Sequence, residues 1–219
     1  MIEIYLFIHP LCPDSLSSEK RLLQMIQNAP KKVQFKILPL LNLHTFQQFL
    51  MKQNTKFLNL YERNQLFDAA YSAALDYKAI QLQGKKKGRL FLLNLQDKVC
   101  NEQIPYSKQL VVDIIESING DLDMFESDRQ SDVIKQSFET DQAIAKEMSV
   151  SKTDSAVFFN YTKNQDYGVL VEDGLTTELL NELLQINDEE PSELTIYKQE
   201  QATVKHADLA HCALKLLKN

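Results

Sequence analysis

Ile2, Ile4, Leu6 and Ile8 alternate with Tyr5 and Phe7 at the start of the chain, so both faces of this segment are apolar. A strand that is apolar on both faces suits the centre of a sheet covered by helices. The period then lengthens: Leu16, Leu22, Leu23, Ile26 and Ala29 fall on one side of a segment from about Asp14 to Asn28, with Pro30 beyond its end. This predicts a helix with a start and a stop signal. Val33, Phe35 and Ile37 alternate with Gln34 and Lys36 up to Pro39, a second strand. Strand, helix and strand in succession predict a βαβ unit with a right-handed crossover.

From about His44 to Met148 the periodicity is helical almost throughout. Phe46, Phe49 and Leu50 mark a short helix, and Phe67, Ala70, Tyr71 and Ala74 a long one reaching towards Leu82. Leu90, Phe91, Leu95 and Val99 follow Gly88, while Leu110, Val111, Ile114, Ile115 and Ile118 precede the stop Asn119-Gly120. A last helix holds Val133, Ile134, Phe138, Ile144 and Ala145. The aromatic residues stand at core spacing and read as packing. Ala156 to Asn160 and Tyr167 to Glu172 are two strands joined by a polar connector, Thr162 to Asp166, which predicts a hairpin. Asp173-Gly174 turns the chain into a helix from about Thr176 to Ile186. After Pro191, Leu194 to Tyr197 reads as a short strand and Lys205 to Leu217 as an amphipathic helix docked on the body. The expected divisions are residues 1–43 and 149–190 for two halves of one α/β domain, 44–148 for a helical insertion and 191–219 for a C-terminal extension.

A chain of 219 residues can bury a substantial core. Its formal net charge of -6 weighs against nucleic-acid binding, which depends on neutralising phosphates. The one dense basic cluster, Lys85-Lys86-Lys87 with Arg89, reads first as a solvated helix start and second as a contact for an acidic partner. No apolar run is long enough to cross a bilayer, and Met1 leads directly into strand-like sequence, so a cytoplasmic protein is expected. Cys12, Cys100 and Cys212 have no short pairing, which fits a reducing compartment.

The chemistry concentrates at His9-Pro10-Leu11-Cys12-Pro13-Asp14-Ser15. A Cys at the start of a helix is activated by unpaired backbone N–H groups and by the positive end of the macrodipole. Disulfide exchange also needs a second thiolate to release the mixed disulfide, and the alcohol of Ser15 is too weak an acid for that. Cys12 and Ser15 therefore make a degenerate catalytic pair. His9 and Cys12 have a spacing compatible with two metal ligands, but a structural zinc site needs four and nothing nearby completes it, so no metal and no resident cofactor are expected. His206 and His211 do not share a helical face. His44 shows no catalytic context, and Cys100 reads as a small packing residue.

A strand followed by Cys12-Pro13-Asp14-Ser15, a second strand, a large helical insert and a closing hairpin resembles the DsbA-like thioredoxin-fold family as far as about Ile186. The resemblance implies an α/β fold of thioredoxin type with a large all-helical insertion. It also implies a cis-Pro facing the Cys, just before the hairpin. Here the segment from Val150 to Val157 has no proline, and Asp154 or Ser155 takes the position, which predicts a trans peptide. An Asp near Cys12, added to Asp14, is expected to disfavour the thiolate.

Within that family the chain is most similar to the cytosolic adaptors of low-GC Gram-positive bacteria that present the stress regulator Spx to the ClpXP protease. The similarity rests on His9 to Pro13, the helical insert and the C-terminal extension. It implies a non-catalytic binding protein with an Spx-like client and ClpX as partners. The expected binding residues are His9, Pro13, Asp14, Asp154 and Ser155 at the degenerate site, and Lys85, Lys86, Lys87 and Arg89 on the insert. Two other readings stand beside it: a monothiol enzyme in which glutathione resolves a mixed disulfide on Cys12, and a kappa-type glutathione-dependent transferase in which Ser15 is the residue of interest. Both would make glutathione a partner, and the missing proline counts against the second.

Overall fold

The computed structural model describes residues 1–28, 33–53, 58–161, 167–172, 175–176, 179, 183 and 203–208. Its sheet has five strands, β1 (Ile2–Ile8), β2 (Val33–Pro39), β3 (Ser155–Asn160), β4 (Tyr167–Glu172) and β5 (Thr203–Asp208), in the order β2-β1-β3-β4-β5. β1 stands inside the sheet, as its two apolar faces predict, and Ile4, Leu6 and Ile8 are fully buried. β1 runs antiparallel to β3 with Leu6 opposite Ala156, and β3 pairs antiparallel with β4. The helices are α1 (Pro13–Asn28), α2 (Leu43–Lys52), α3 (Leu60–Leu82), α4 (Lys85–Gln96), α5 (Lys108–Ser117), α6 (Leu122–Gln130) and α7 (Asp132–Glu147). Among the described residues no helix is long and apolar enough to cross a membrane.

The chain forms two compact units. One comprises Met1–Ile8, Ser17–Leu38 and Ile144–Asn219; the other comprises His9–Leu16 and Pro39–Ala143. The first contains the sheet. Leu22 and Met25 of α1 are buried in it, and the Arg21 guanidinium donates to the carbonyl of Leu175.

The helical unit is organised on α3, which packs against α4 and α6, while α5 packs against the same two helices. Residues 73 to 80 are buried without interruption, so this stretch of α3 is enclosed on all its faces. Small residues at Ala70, Ala73, Ala74 and Ala79 allow neighbouring helices to approach. Enclosure forces the charged Asp76 and Lys78 inwards, and each has a partner: Arg129 Nε lies 2.6 Å from Asp76, and Lys78 Nζ lies 2.8 Å from Asp141. Isolated buried charges would not be tolerated there.

Local signals place the helix ends. Asn42 with Thr45, and Asn59 with Glu62, form reciprocal capping boxes at the starts of α2 and α3. α5 closes through Asn119 in the left-handed region (φ 54°), with Gly120 N–H donating to the Ile115 carbonyl at 2.7 Å. A Cβ at Gly120 would lie 2.6 Å from Ile115 Cγ2, which explains the glycine.

Three features depart from the sequence reading. α6 is a separate helix that the periodicity did not single out. Beyond Gln96 the helix widens to a π-helical turn, Asp97–Asn101, which carries Val99 and Cys100. The expected helix from Lys205 is overturned at its start: Lys205 to Asp208 belong to β5, paired antiparallel with β4 and with His206 opposite Val169. The free edge of β4 offers unpaired N–H and C=O groups, and a strand can saturate them where a helix cannot. The rest of that predicted helix, with His211 and Cys212, lies outside the described residues, as do the connector from Thr162 to Asp166 and the strand from Leu194 to Tyr197. Of the helix expected from Thr176, Leu179 and Leu183 are helical and Thr176 is not; most of the remainder lies outside.

Candidate functional site

Four hydrogen bonds help to build the turn after β1. Cys12 N–H donates to the His9 carbonyl at 3.2 Å, and the Cys12 carbonyl accepts from Leu16 N–H at 3.2 Å, so Cys12 is the residue from which α1 springs. His9 N–H donates to Ser15 Oγ at 3.0 Å, and Leu11 N–H donates to His9 Nδ1 at 3.2 Å. The side chains of His9 and Ser15 thus close the loop back on itself.

Those bonds define what the side chains have left for chemistry. Ser15 is fully buried, and its oxygen serves as the acceptor for a backbone N–H. That bond fixes the orientation of the hydroxyl in the interior of the turn. Cys12 is 2% exposed, so no partner in solution reaches its sulfur without movement of the turn. Pro13 is half-buried and Asp14 is exposed, with Asp14 3.0 Å from Lys52 Nζ. Of the residues expected to form a binding surface at this turn, these two are the accessible ones.

His9 is fully buried, and its ring stacks on Phe49 with centroids 4.1 Å apart and planes 11° from parallel. The aromatic series continues from Phe49 to Phe46, and from Phe46 to Phe67 edge-on. Burial holds the imidazole neutral by lowering its pKa from 6.5 to about 3. Because Nδ1 accepts a hydrogen bond, the proton of the neutral ring sits on Nε2, which has no partner among the described residues. The neutral ring is packed inside the helical unit against Phe49.

Cys100, on the π-helical turn, has its thiol pKa pushed up to about 12 by burial first, then by Cys12, Asp97 and Asp14. It is a thiol at neutral pH and does not supply the resolving thiolate that Ser15 lacks.

Asp154 and Ser155 belong to the sheet unit. Asp154 adopts a left-handed backbone (φ 63°), and its N–H donates to the Phe7 carbonyl at 2.7 Å. Ser155 then begins β3 opposite Phe7. All described peptide bonds are trans, as expected for this proline-free segment. Both residues are buried, and Ser155 Oγ has no partner among the described residues. On the helical unit, Lys85 and Lys86 are exposed and Lys87 and Arg89 half-buried at the start of α4. The sequence reading missed the Asp76–Arg129–Tyr106 network. Its one available signal was an Asp and a Lys two residues apart within an alanine-rich apolar helix.

Residues 5–182 match the family model described as Thioredoxin. The chain is 29% identical over 211 residues to the ClpXP adapter protein SpxH of Bacillus subtilis, covering 88% of this chain and 70% of that protein. It is 31% identical over 142 residues to the SpxH of Staphylococcus saprophyticus, covering 62% of this chain and 54% of the relative. The chain thus spans little more than half the length of its staphylococcal relatives. Among solved structures, a candidate protein disulfide isomerase from Nitrosomonas europaea superposes with a TM-score of 0.61 at 16% identity, covering 84% of this chain and 96% of that one. The thiol-disulfide exchange protein α-DsbA2 from Wolbachia pipientis gives 0.55 at 14% identity, covering 84% and 80%. At those identities the structural likeness speaks for the fold. With its thioredoxin-type sheet, helical insertion and Cys-Pro-Asp-Ser turn, the chain belongs to the thioredoxin family and is similar in sequence to the SpxH proteins.

Proposed function

We propose that this protein is a non-catalytic adaptor that binds an Spx-like regulator and delivers it to ClpXP in the cytoplasm. The observation that carries the reading is the similarity to a ClpXP adapter along 88% of the chain. The turn after β1 supports it from the chemical side, because Cys12 is buried and the Ser15 oxygen is engaged with the His9 backbone. An adaptor needs no bond chemistry. It raises the effective concentration of client at the protease by holding both.

The surfaces proposed for those contacts are Pro13 and Asp14 at the turn and the basic start of α4, Lys85, Lys86, Lys87 and Arg89. Reconstituted degradation tests the proposal. Adding the protein to ClpXP and Spx should accelerate loss of Spx, Cys12→Ala should keep most of the acceleration, and charge reversal at Lys85, Lys86 and Lys87 should slow association in a salt-dependent way. No binding to Spx or ClpX at micromolar concentration would refute the adaptor reading. Glutathione-dependent turnover abolished by Cys12→Ala, or a transferase activity abolished by Ser15→Ala, would establish one of the enzymatic alternatives that the thiol-exchange fold of the structural relatives accommodates.

A further inference from the structure

The helical unit holds a cleft of about 590 Å³, reached from α3, α5, α6 and the start of α7. That volume lies within the range of small-molecule sites, about 300–1,000 Å³. Val111, Val112 and Phe125 give it apolar lining. The same cleft is lined by the polar network of Asp76. Arg129 Nε donates to Asp76 Oδ1 at 2.6 Å, Tyr106 donates its hydroxyl hydrogen to Asp76 Oδ2, and Arg129 Nη2 donates to Ser72 Oγ at 3.0 Å.

This arrangement leaves an unspent cationic surface. Both Asp76 oxygens are engaged, whereas Arg129 Nη1 and Lys108 Nζ have no acceptor among the described residues. The Lys108 charge nevertheless acts on Asp76, helping to lower a carboxyl pKa that burial raises. Lys135, whose ammonium lies 3.5 Å from Asp132, and Glu126 complete the charged lining, so Arg129 and Lys108 are the cations left to a ligand in a protein whose formal net charge is -6. The guanidinium is fixed in orientation before any ligand arrives, so binding does not have to order it.

We infer that this cleft binds a small organic acid: one carboxylate on an apolar body, the carboxylate against Arg129 and Lys108 and the body against Val111, Val112 and Phe125. A multiply charged inorganic anion would leave the apolar lining unused, and a cation would meet an excess of positive charge. A free acid and the carboxyl terminus of an apolar peptide share this chemistry.

Calorimetric titration of the full chain tests it with octanoate, octanamide, inorganic phosphate, and an acetylated Ala-Ala-Leu peptide as free acid and as amide. At least one carboxylate should bind saturably at one site, at least about tenfold more tightly than its own amide and than phosphate. Lys108→Glu, which removes none of the hydrogen bonds of Asp76, should weaken that carboxylate about tenfold or more, and Val112→Asp should abolish binding. Octanoate binding identifies the source as a free acid, and binding of the peptide acid alone identifies a chain terminus. The inference is overturned if neither carboxylate gives saturable binding up to about 10 mM, if the amides or phosphate bind as well, or if folded Lys108→Glu binds unchanged.

Discussion

Replacing His9 by phenylalanine removes a buried imidazole, and the consequence for stability should depend on pH in a calculable way. In the folded protein the ring takes up its proton only near pH 3, against 6.5 for an unperturbed histidine. Between those values the unfolded chain binds a proton that the folded chain does not, so the wild-type protein loses stability as the pH falls below about 6.5. From about pH 7.5 to about pH 4.5 the loss attributable to His9 is about 2.7 kcal/mol, two units below the unperturbed value at about 1.36 kcal/mol each. Asp141 works the other way. Burial raises its carboxyl from 3.8 to about 6 against the pull of Lys78, so its folded form holds a proton that the unfolded form has released. Its contribution is present at low pH and is lost as the pH rises from 3.8 to about 6. The two slopes oppose each other, which is why the wild-type profile alone is uninformative and the difference between wild type and variant is required. Urea unfolding of wild type and His9→Phe at several pH values, extrapolated linearly, measures it. Phe retains an aromatic ring for stacking on Phe49 and cannot titrate, so the stability of wild type minus variant should fall by about 2.7 kcal/mol over that pH range. A difference constant to within about 0.5 kcal/mol would refute the claim that His9 is held neutral by burial.

Ser15→Ala should lower stability by about 1–3 kcal/mol, because it leaves the buried His9 N–H without its acceptor, and thermal or urea unfolding would record it. Lys78→Met should cost about 3–5 kcal/mol by stranding Asp141, while the double variant Lys78→Met with Asp141→Leu should recover most of that loss in a double-mutant cycle. Gly120→Ala should destabilise by about 1–3 kcal/mol, since its methyl would press on Ile115, and a lowered melting temperature checks it. Purified protein should not catalyse insulin reduction by dithiothreitol above background, and turnover lost on Cys12→Ala would contradict the burial of that thiol.

The polar groups at the turn show where legibility stopped. Cys12 at the start of a helix and Ser15 inside it were readable from Pro13 and the apolar period that follows, because helix starts are local events. That Ser15 accepts from His9 N–H, and that His9 stacks on Phe49, depend on a turn closing over α2, some forty positions later in the chain. Sequence spacing carries no information about which ring lies beneath a given imidazole. The same limit applies to Asp76: a carboxylate in an alanine-rich helix announces burial, but its partners Tyr106 and Arg129 come from other segments.

What the sequence by itself determined is the alternation that makes Ile2–Ile8 an interior strand, the helix that starts after Cys12, the stop at Asn119-Gly120 and the hairpin strands. Each is settled by side-chain period or by a hydrogen bond within a few residues. Tertiary structure alone decided that Lys205 to Asp208 extend as β5, since their conformation follows from the backbone groups along the edge of β4 rather than from their own period. It alone also sealed Cys12 and His9 away from solvent and gathered Arg129, Lys108 and Tyr106 around Asp76. Burial and charge pairing are sums over neighbours distant in sequence, and folding is what makes them neighbours.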